Sequence, residues 1–149
     1  MSSDEEPRAD EVLTILLYAS DRKTRESVRL ALGRKIASDL PPIRVIEVAT
    51  QAALMTTMDA GGIDLAILDG EAVPGGMGLS RQLKDEILRC PPLLVIIGRA
   101  DDAWLATWSR ADGAVPHPVD PIRLPAAVAK LLRPQMSTET AIAQSTSIA

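Results

Sequence analysis

Asp69 closes the run Ile63-Asp64-Leu65-Ala66-Ile67-Leu68-Asp69-Gly70, an apolar stretch that stops abruptly in a carboxylate. A little further on, Pro74-Gly75-Gly76-Met77-Gly78-Leu79 reads as a turn that opens a new amphipathic stretch. A buried strand that delivers an acid to its C-terminal end and then turns into a helix is how open α/β sheets present chemistry. A carboxylate so placed can serve as a nucleophile, bind a hard cation, or accept the amide hydrogens of the turn that follows.

The other chemistry-bearing residues are sparse. A phosphatase or phosphotransferase with Asp69 as nucleophile would want an acid pair around it on the first strand and a lysine further on. Asp69-Gly70-Glu71 falls on the third strand and no such lysine follows, so no enzyme is expected. Pro74-Gly75-Gly76-Met77-Gly78 lacks the lysine of a P-loop and the spacing of a dinucleotide fingerprint, and reads as a turn. Cys90 is the lone cysteine, which excludes a disulfide framework and a cysteine metal cluster. His117 stands between prolines, where a structural role competes with an anion contact; Asp21 is suited to capping the helix that starts near Thr24. Trp104 and Trp108, the two tryptophans, lie one helical turn apart.

The elements that must position these residues follow from periodicity. Strands are expected at Val12–Ala19, Ile43–Val48, Leu65–Asp69, Leu93–Ile97 and Ala114–Val115. Helices are expected at Thr24–Leu32, Ala52–Ala60, Leu79–Arg89, Asp102–Ser109 and Ile122–Leu132. Val28, Ala31 and Leu32 should face inward on the first helix. Leu54 and Met58 should do so on the second, Leu79, Leu83 and Ile87 on the third, Leu105 on the fourth, and Leu124, Val128 and Leu131 on the last. Strict alternation implies an α/β fold with a doubly wound, five-stranded parallel sheet and right-handed crossovers. The C-terminal strand edge then gathers Ser20, Asp21, Asp69, Glu71, Ile97, Gly98, Arg99 and His117 into one neighbourhood.

Composition bounds the reading. The 149 residues are 46% hydrophobic and 24% charged, enough for one domain with a real core. A net charge of −4 without any basic run argues against a nucleic-acid surface. No apolar run reaches the roughly 20 residues of a membrane span, and the acidic first residues do not form a signal peptide. A cytoplasmic protein is expected, with a disordered acidic leader at 1–11, a folded unit at 12–133 and a flexible tail at 134–149. Phenylalanine is absent, so the core must be aliphatic.

At this point the chain resembles the receiver domain of two-component response regulators, over about Leu13–Leu132. Ile67-Leu68-Asp69 resembles the strand bearing the phospho-accepting aspartate, and Pro74 with Gly78-Leu79 resembles the Pro-x-x-x-Gly-Leu turn after it. His117-Pro118-Val119-Asp120-Pro121 resembles the Lys-Pro-Phe-Asp-Pro signature after the fifth strand, and Arg25 and Leu32 match the first helix. The resemblance implies the flavodoxin-like strand order 2-1-3-4-5, with partner contacts on the face of the fourth helix, fifth strand and fifth helix.

The chemical positions depart from that pattern. The acid pair that would hold magnesium is replaced by Ala19 and Ser20, with Asp21 one place late. The hydroxyl expected at the end of the fourth strand is replaced by Ile97. The lysine is replaced by His117, an imidazole that is shorter and carries no permanent charge, and the switch aromatic is replaced by Ala114. Phosphoryl transfer rests on positioning and on charge neutralisation by metal and cationic side chains.

The expectation is therefore a stand-alone, atypical receiver that signals through protein contacts. Phosphorylation at Asp69 should be weak or absent, and magnesium binding weak or absent, with no other cofactor. The partner would be a protein, a sensor kinase or a second copy, engaged through Trp104 and Trp108. Nucleic acid and membrane are not expected partners. Two alternatives stand beside it: a module that senses a small molecule or anion in the Asp69 pocket, and a conventional phospho-accepting receiver.

Overall fold

The computed structural model describes residues 12–98 and 103–148. The leader at 1–11, Arg99 and the expected start of the fourth helix at Asp102 lie outside the described residues, as does the side chain of Leu105. Strands and helices alternate as β1 (Leu13–Tyr18), α1 (Arg22–Leu32), β2 (Ile43–Val48), α2 (Gln51–Ala60), β3 (Leu65–Asp69), α3 (Gly76–Glu86), β4 (Leu93–Ile97), α4 (Ala103–Trp108), β5 (Gly113–Pro116) and α5 (Arg123–Ile148).

All strand pairs are parallel, in the order β2-β1-β3-β4-β5. This is the five-stranded sheet implied by the alternation. β1, β3 and β4 are buried along their whole length, whereas β2 at the sheet edge is largely half-buried. Helices on both faces explain why the three central strands read as unbroken apolar runs.

Each face has its own aliphatic core. On one, Ile15, Leu17, Ile67 and Ile96 pack with Val28 and Leu32 of α1 and with Leu124, Val128 and Leu132 of α5. On the other, Leu16, Tyr18, Leu68 and Ile97 pack with Leu54 of α2 and with Leu79 and Leu83 of α3. Each fully buried Leu or Ile contributes roughly 1.5–3 kcal/mol of transfer free energy. α4 packs on α3, β4 and β5.

The helix limits depart from the periodic reading where capping decides them. Asp21 is the N-cap of α1 and Thr50 that of α2, each accepting a main-chain N–H three residues on. Gly33 and Gly61, both at positive φ, close these helices. α3 begins at Gly76, a turn earlier than Leu79, and ends at Glu86 where Ile87 adopts an extended backbone. α5 does not stop near Leu132 but continues through Pro134 to Ile148, so the segment read as a tail prolongs this helix. Pro134 lacks only the N–H that would have reached one carbonyl a turn earlier. On its inner face Leu132 is fully buried and Leu131 only partly. No helix among the described residues is long and apolar enough to cross a membrane.

Candidate functional site

β3 brings Asp69 to the C-terminal edge of the sheet, where it is only 2% exposed. The β3–α3 loop folds back tightly over it. Gly70 N–H donates to Ile96 O at 2.8 Å and Ala72 N–H to Asp69 O at 3.2 Å. A Cβ at Gly76 would stand 2.6 Å from Asp69 O, and one at Gly70 would stand 2.7 Å from Ile96 O. Backbone approaches this close admit only glycine at both positions. The glycines that looked like turn residues therefore also hold α3 against the end of β3.

Among the described residues, the carboxylate of Asp69 has two hydrogen-bonding partners. Its Oδ1 accepts the Glu71 N–H at 3.0 Å and lies 2.8 Å from His117 Nε2. His117 reaches it because β3, β4 and β5 lie side by side in parallel register. Asp69 pairs with Ile96, Ile97 pairs with Pro116, and the His117 N–H donates to Ile97 O at 2.8 Å. The His117–Pro118 peptide is cis, as is Val73–Pro74. Past the prolines, Asp120 Oδ1 accepts the N–H groups of Ile122 and Arg123 at 2.7 and 2.9 Å, which anchors the start of α5. Those amides hold the Asp120 carboxyl below the ordinary carboxylate range.

The other expected pocket residues divide. Ser20 is exposed, and its hydroxyl accepts the Val73 N–H at 3.3 Å, linking the end of β1 to the β3–α3 loop. Glu71 is exposed, and its carboxylate lies against Gly98, where a side chain on residue 98 would collide with it. Asp21 is turned to α1, with Oδ2 accepting from Thr24 Oγ1 at 3.0 Å and Thr24 N at 3.2 Å. The Thr24 hydroxyl, aided by the amides of Thr24 and Lys23, holds its carboxyl below the ordinary range. Ile97 is buried in the α2/α3 core.

Tyr18 belongs to the site and was not singled out from the sequence. It is fully buried at the end of β1, and its hydroxyl donates to Pro74 O at 2.6 Å, tying β1 to the same loop. Burial, reinforced by the charge of Asp69, raises its phenol above the ordinary value. The signal available was its place as the last residue of an apolar strand beside Ala19.

The donor set does not fit a magnesium ion. Such an ion wants near-octahedral oxygen ligands with one or two carboxylates. Asp69 Oδ1 is occupied by an imidazole and an amide. The neighbouring positions offer a buried methyl at Ala19 and an engaged hydroxyl at Ser20, and Asp21 is committed to its cap. Among the described residues, no group of three His, Cys, Asp or Glu side chains is placed to hold a metal.

On the opposite flank of β4, Trp104 is 66% and Trp108 46% exposed. The Arg81 guanidinium lies 5.0 Å from the Trp108 ring centroid and donates to Trp108 O at 2.9 Å. Ala114 of β5 is exposed nearby in the sheet, opposite Val95.

No protein-family profile matches the chain. Solved structures share the fold. A response regulator from Chloroflexus aurantiacus superposes with a TM-score of 0.69 at 19% identity, covering 81% of this chain and 98% of that one. A CheY-like receiver domain protein from Methanospirillum hungatei gives 0.68 at 18% identity, covering 85% and 98%. In sequence, an uncharacterized response regulatory protein of Mycobacterium tuberculosis, present in strains H37Rv and CDC 1551, is 57% identical over 128 residues, covering 85% of this chain and 96% of its own length. With the sheet order and the Asp69 edge already in hand, that identity settles the kinship: the chain belongs to the response regulatory proteins of two-component signalling, and its fold is their receiver domain.

Proposed function

We propose that this receiver signals through protein contacts in a form that depends little on phosphorylation at Asp69 and not on magnesium. The observation that carries the reading is the pairing of Asp69 Oδ1 with His117 Nε2 at 2.8 Å, where, among the described residues, no group of three His, Cys, Asp or Glu side chains is placed to hold a metal. A phosphoryl group arriving at Asp69 would have to displace that imidazole. It would find an alkyl chain at Ile97 in place of a hydroxyl, and its charge would lack the metal that normally offsets it. No enzymatic activity is part of the reading.

The test is incubation with acetyl phosphate and magnesium, read by intact mass and by amide shifts around Asp69. The expected result is no stoichiometric adduct and no saturation by millimolar magnesium. Ala19→Asp with Ser20→Asp should then confer magnesium-dependent shifts. A stoichiometric adduct in the unaltered chain would instead make it a conventional phospho-accepting receiver.

The same reading assigns the partner, a second copy or another protein such as a sensor kinase, to the surface around Trp104 and Trp108. Both rings are exposed at one-turn spacing in a chain otherwise nearly free of aromatics. A tryptophan anchor is worth about 2 kcal/mol or more when truncated. Trp104→Ala or Trp108→Ala should weaken association at least roughly tenfold by analytical ultracentrifugation.

A further inference from the structure

The open flank of the sheet carries a second site, independent of Asp69. Among the described residues, β2 pairs with β1 alone. Beside it α1 leaves a groove of about 870 Å³ whose floor includes the half-buried Ile43 and Val45 and whose rim carries the exposed Leu30. Its walls hold five arginines against two glutamates, in a chain of net charge −4.

The arginines are in different states. Arg44 donates to Thr14 Oγ1 at 3.0 Å. Arg25 and Arg29 both converge on Glu47, at 3.4 and 3.0 Å, with the Arg29 side chain still 60% exposed. Arg22 and Arg34, at the two ends of the groove, form no ion pair among the described residues. One of the groove's own carboxylates, Glu47, is thus already held between guanidiniums suited to more.

The backbone supplies the second half of the recognition. The carbonyls of Pro42 and Val48 accept the N–H groups of Leu13 and Ala19, so the even-numbered residues of this strand turn their main-chain groups towards β1. Those of Val45 and Glu47 therefore turn to the open edge, while the Ile43 N–H is taken by Arg34 O. An extended segment laid along β2 would meet main-chain groups that no described residue takes, an aliphatic floor and a row of guanidiniums.

We infer that the α1–β2 groove binds an extended acidic peptide segment of a partner protein, added alongside β2 with its carboxylates on Arg22, Arg29 and Arg34. A nucleic-acid strand fits less well, because the lining has no aromatic ring on which a base could stack and includes two carboxylates.

The test is fluorescence anisotropy of a fluorescein-labelled decapeptide of alternating Val and Glu on the full chain, with the matched Val-Lys peptide and a labelled oligothymidylate as controls. The Val-Glu peptide should bind preferentially and weaken with added salt. Arg22→Ala with Arg34→Ala should weaken it roughly tenfold. Glu47→Gln, which releases Arg29 from its ion pair, should tighten it, a sign that loss of packing would not produce. Equal binding of the Val-Lys peptide, preference for the oligothymidylate, or indifference to all three substitutions would overturn the proposal. So would tighter peptide binding on neutralising the chain's own acidic start (Asp4→Asn, Glu5→Gln, Glu6→Gln), since that segment would then be the occupant.

Discussion

The two ends of the sheet use carboxylates in opposite ways. At the N-terminal edge, Asp64 Oδ2 accepts the Thr14 N–H at 2.7 Å while its own N–H donates to Thr14 O at 2.9 Å. Asp112 does the same with Leu93, at 2.8 Å in each direction, and adds an ion pair to Lys84 at 2.7 Å. Each acid staples the start of one strand to its neighbour by satisfying a main-chain donor. At the C-terminal edge, Asp69 is more deeply buried yet receives a single main-chain N–H, from a loop residue, and otherwise depends on an imidazole. A carboxylate fixed by strand amides has one arrangement open to it. One held by a loop amide and a side chain is less firmly fixed.

The largest expected effect breaks the staple. Asp64→Ala leaves the nearly buried Thr14 amide without its charged acceptor and should cost about 2 kcal/mol. Asp69→Ala should change stability by less than about 1 kcal/mol, because the loss of a buried carboxylate offsets the loss of its contacts. Urea unfolding of both variants checks the contrast. The reverse ranking would make Asp69 a structural acid and its edge as fixed as the other.

A smaller effect concerns the loop over Asp69. Tyr18→Phe removes the hydrogen bond to Pro74 O and should cost about 1 kcal/mol. Because the folded chain raises this phenol above 10.0, it retains its proton where the unfolded chain has lost it. The stability so gained is complete below the unfolded value and is lost as pH rises through the folded one. Unaltered protein should therefore lose stability more steeply than Tyr18→Phe in alkaline titrations monitored by denaturation. Equal slopes would mean that neither burial nor the charge of Asp69 raises the phenol in the folded chain.

The smallest effect on stability is expected at the α4 surface. Trp104→Ala should stay within about 0.5 kcal/mol, since the ring is largely in water and no core depends on it. Thermal unfolding at a concentration where the chain is monomeric measures this. A loss of several kcal/mol would place the ring in the core and move the partner surface elsewhere.

The sequence by itself determined the layered architecture. β3 and β4 fall on the expected Leu65–Asp69 and Leu93–Ile97 because a strand covered on both faces must be apolar along its length, and its ends are marked where the apolar run breaks. The inward stripes Val28/Leu32, Leu54/Met58 and Leu79/Leu83 were legible for the same reason of burial. Helix starts were less so. Gly75 and Gly76 carry the composition of a turn, yet Gly76 is helical because the loop must return closely over Asp69. Nor did periodicity foresee that α5 would run past Pro134.

What only the tertiary structure decided is which side chain meets which. Asp69 and His117 are 48 residues apart, one at the end of β3 and the other just past β5, strands that do not pair with each other, and their contact follows from the shared register with β4 between them. Asp21 sits near Asp69 in any edge-of-sheet reading, but the free amide at the start of α1 takes its carboxylate. The arginines of the groove are scattered through a helix, a loop and a strand in the sequence, and they become one groove only because β2 is the strand at the open edge. Pattern fixes what is buried, because burial is read one residue at a time. Pairing across strands depends on register and on competition for backbone donors, and no local stretch of sequence contains either.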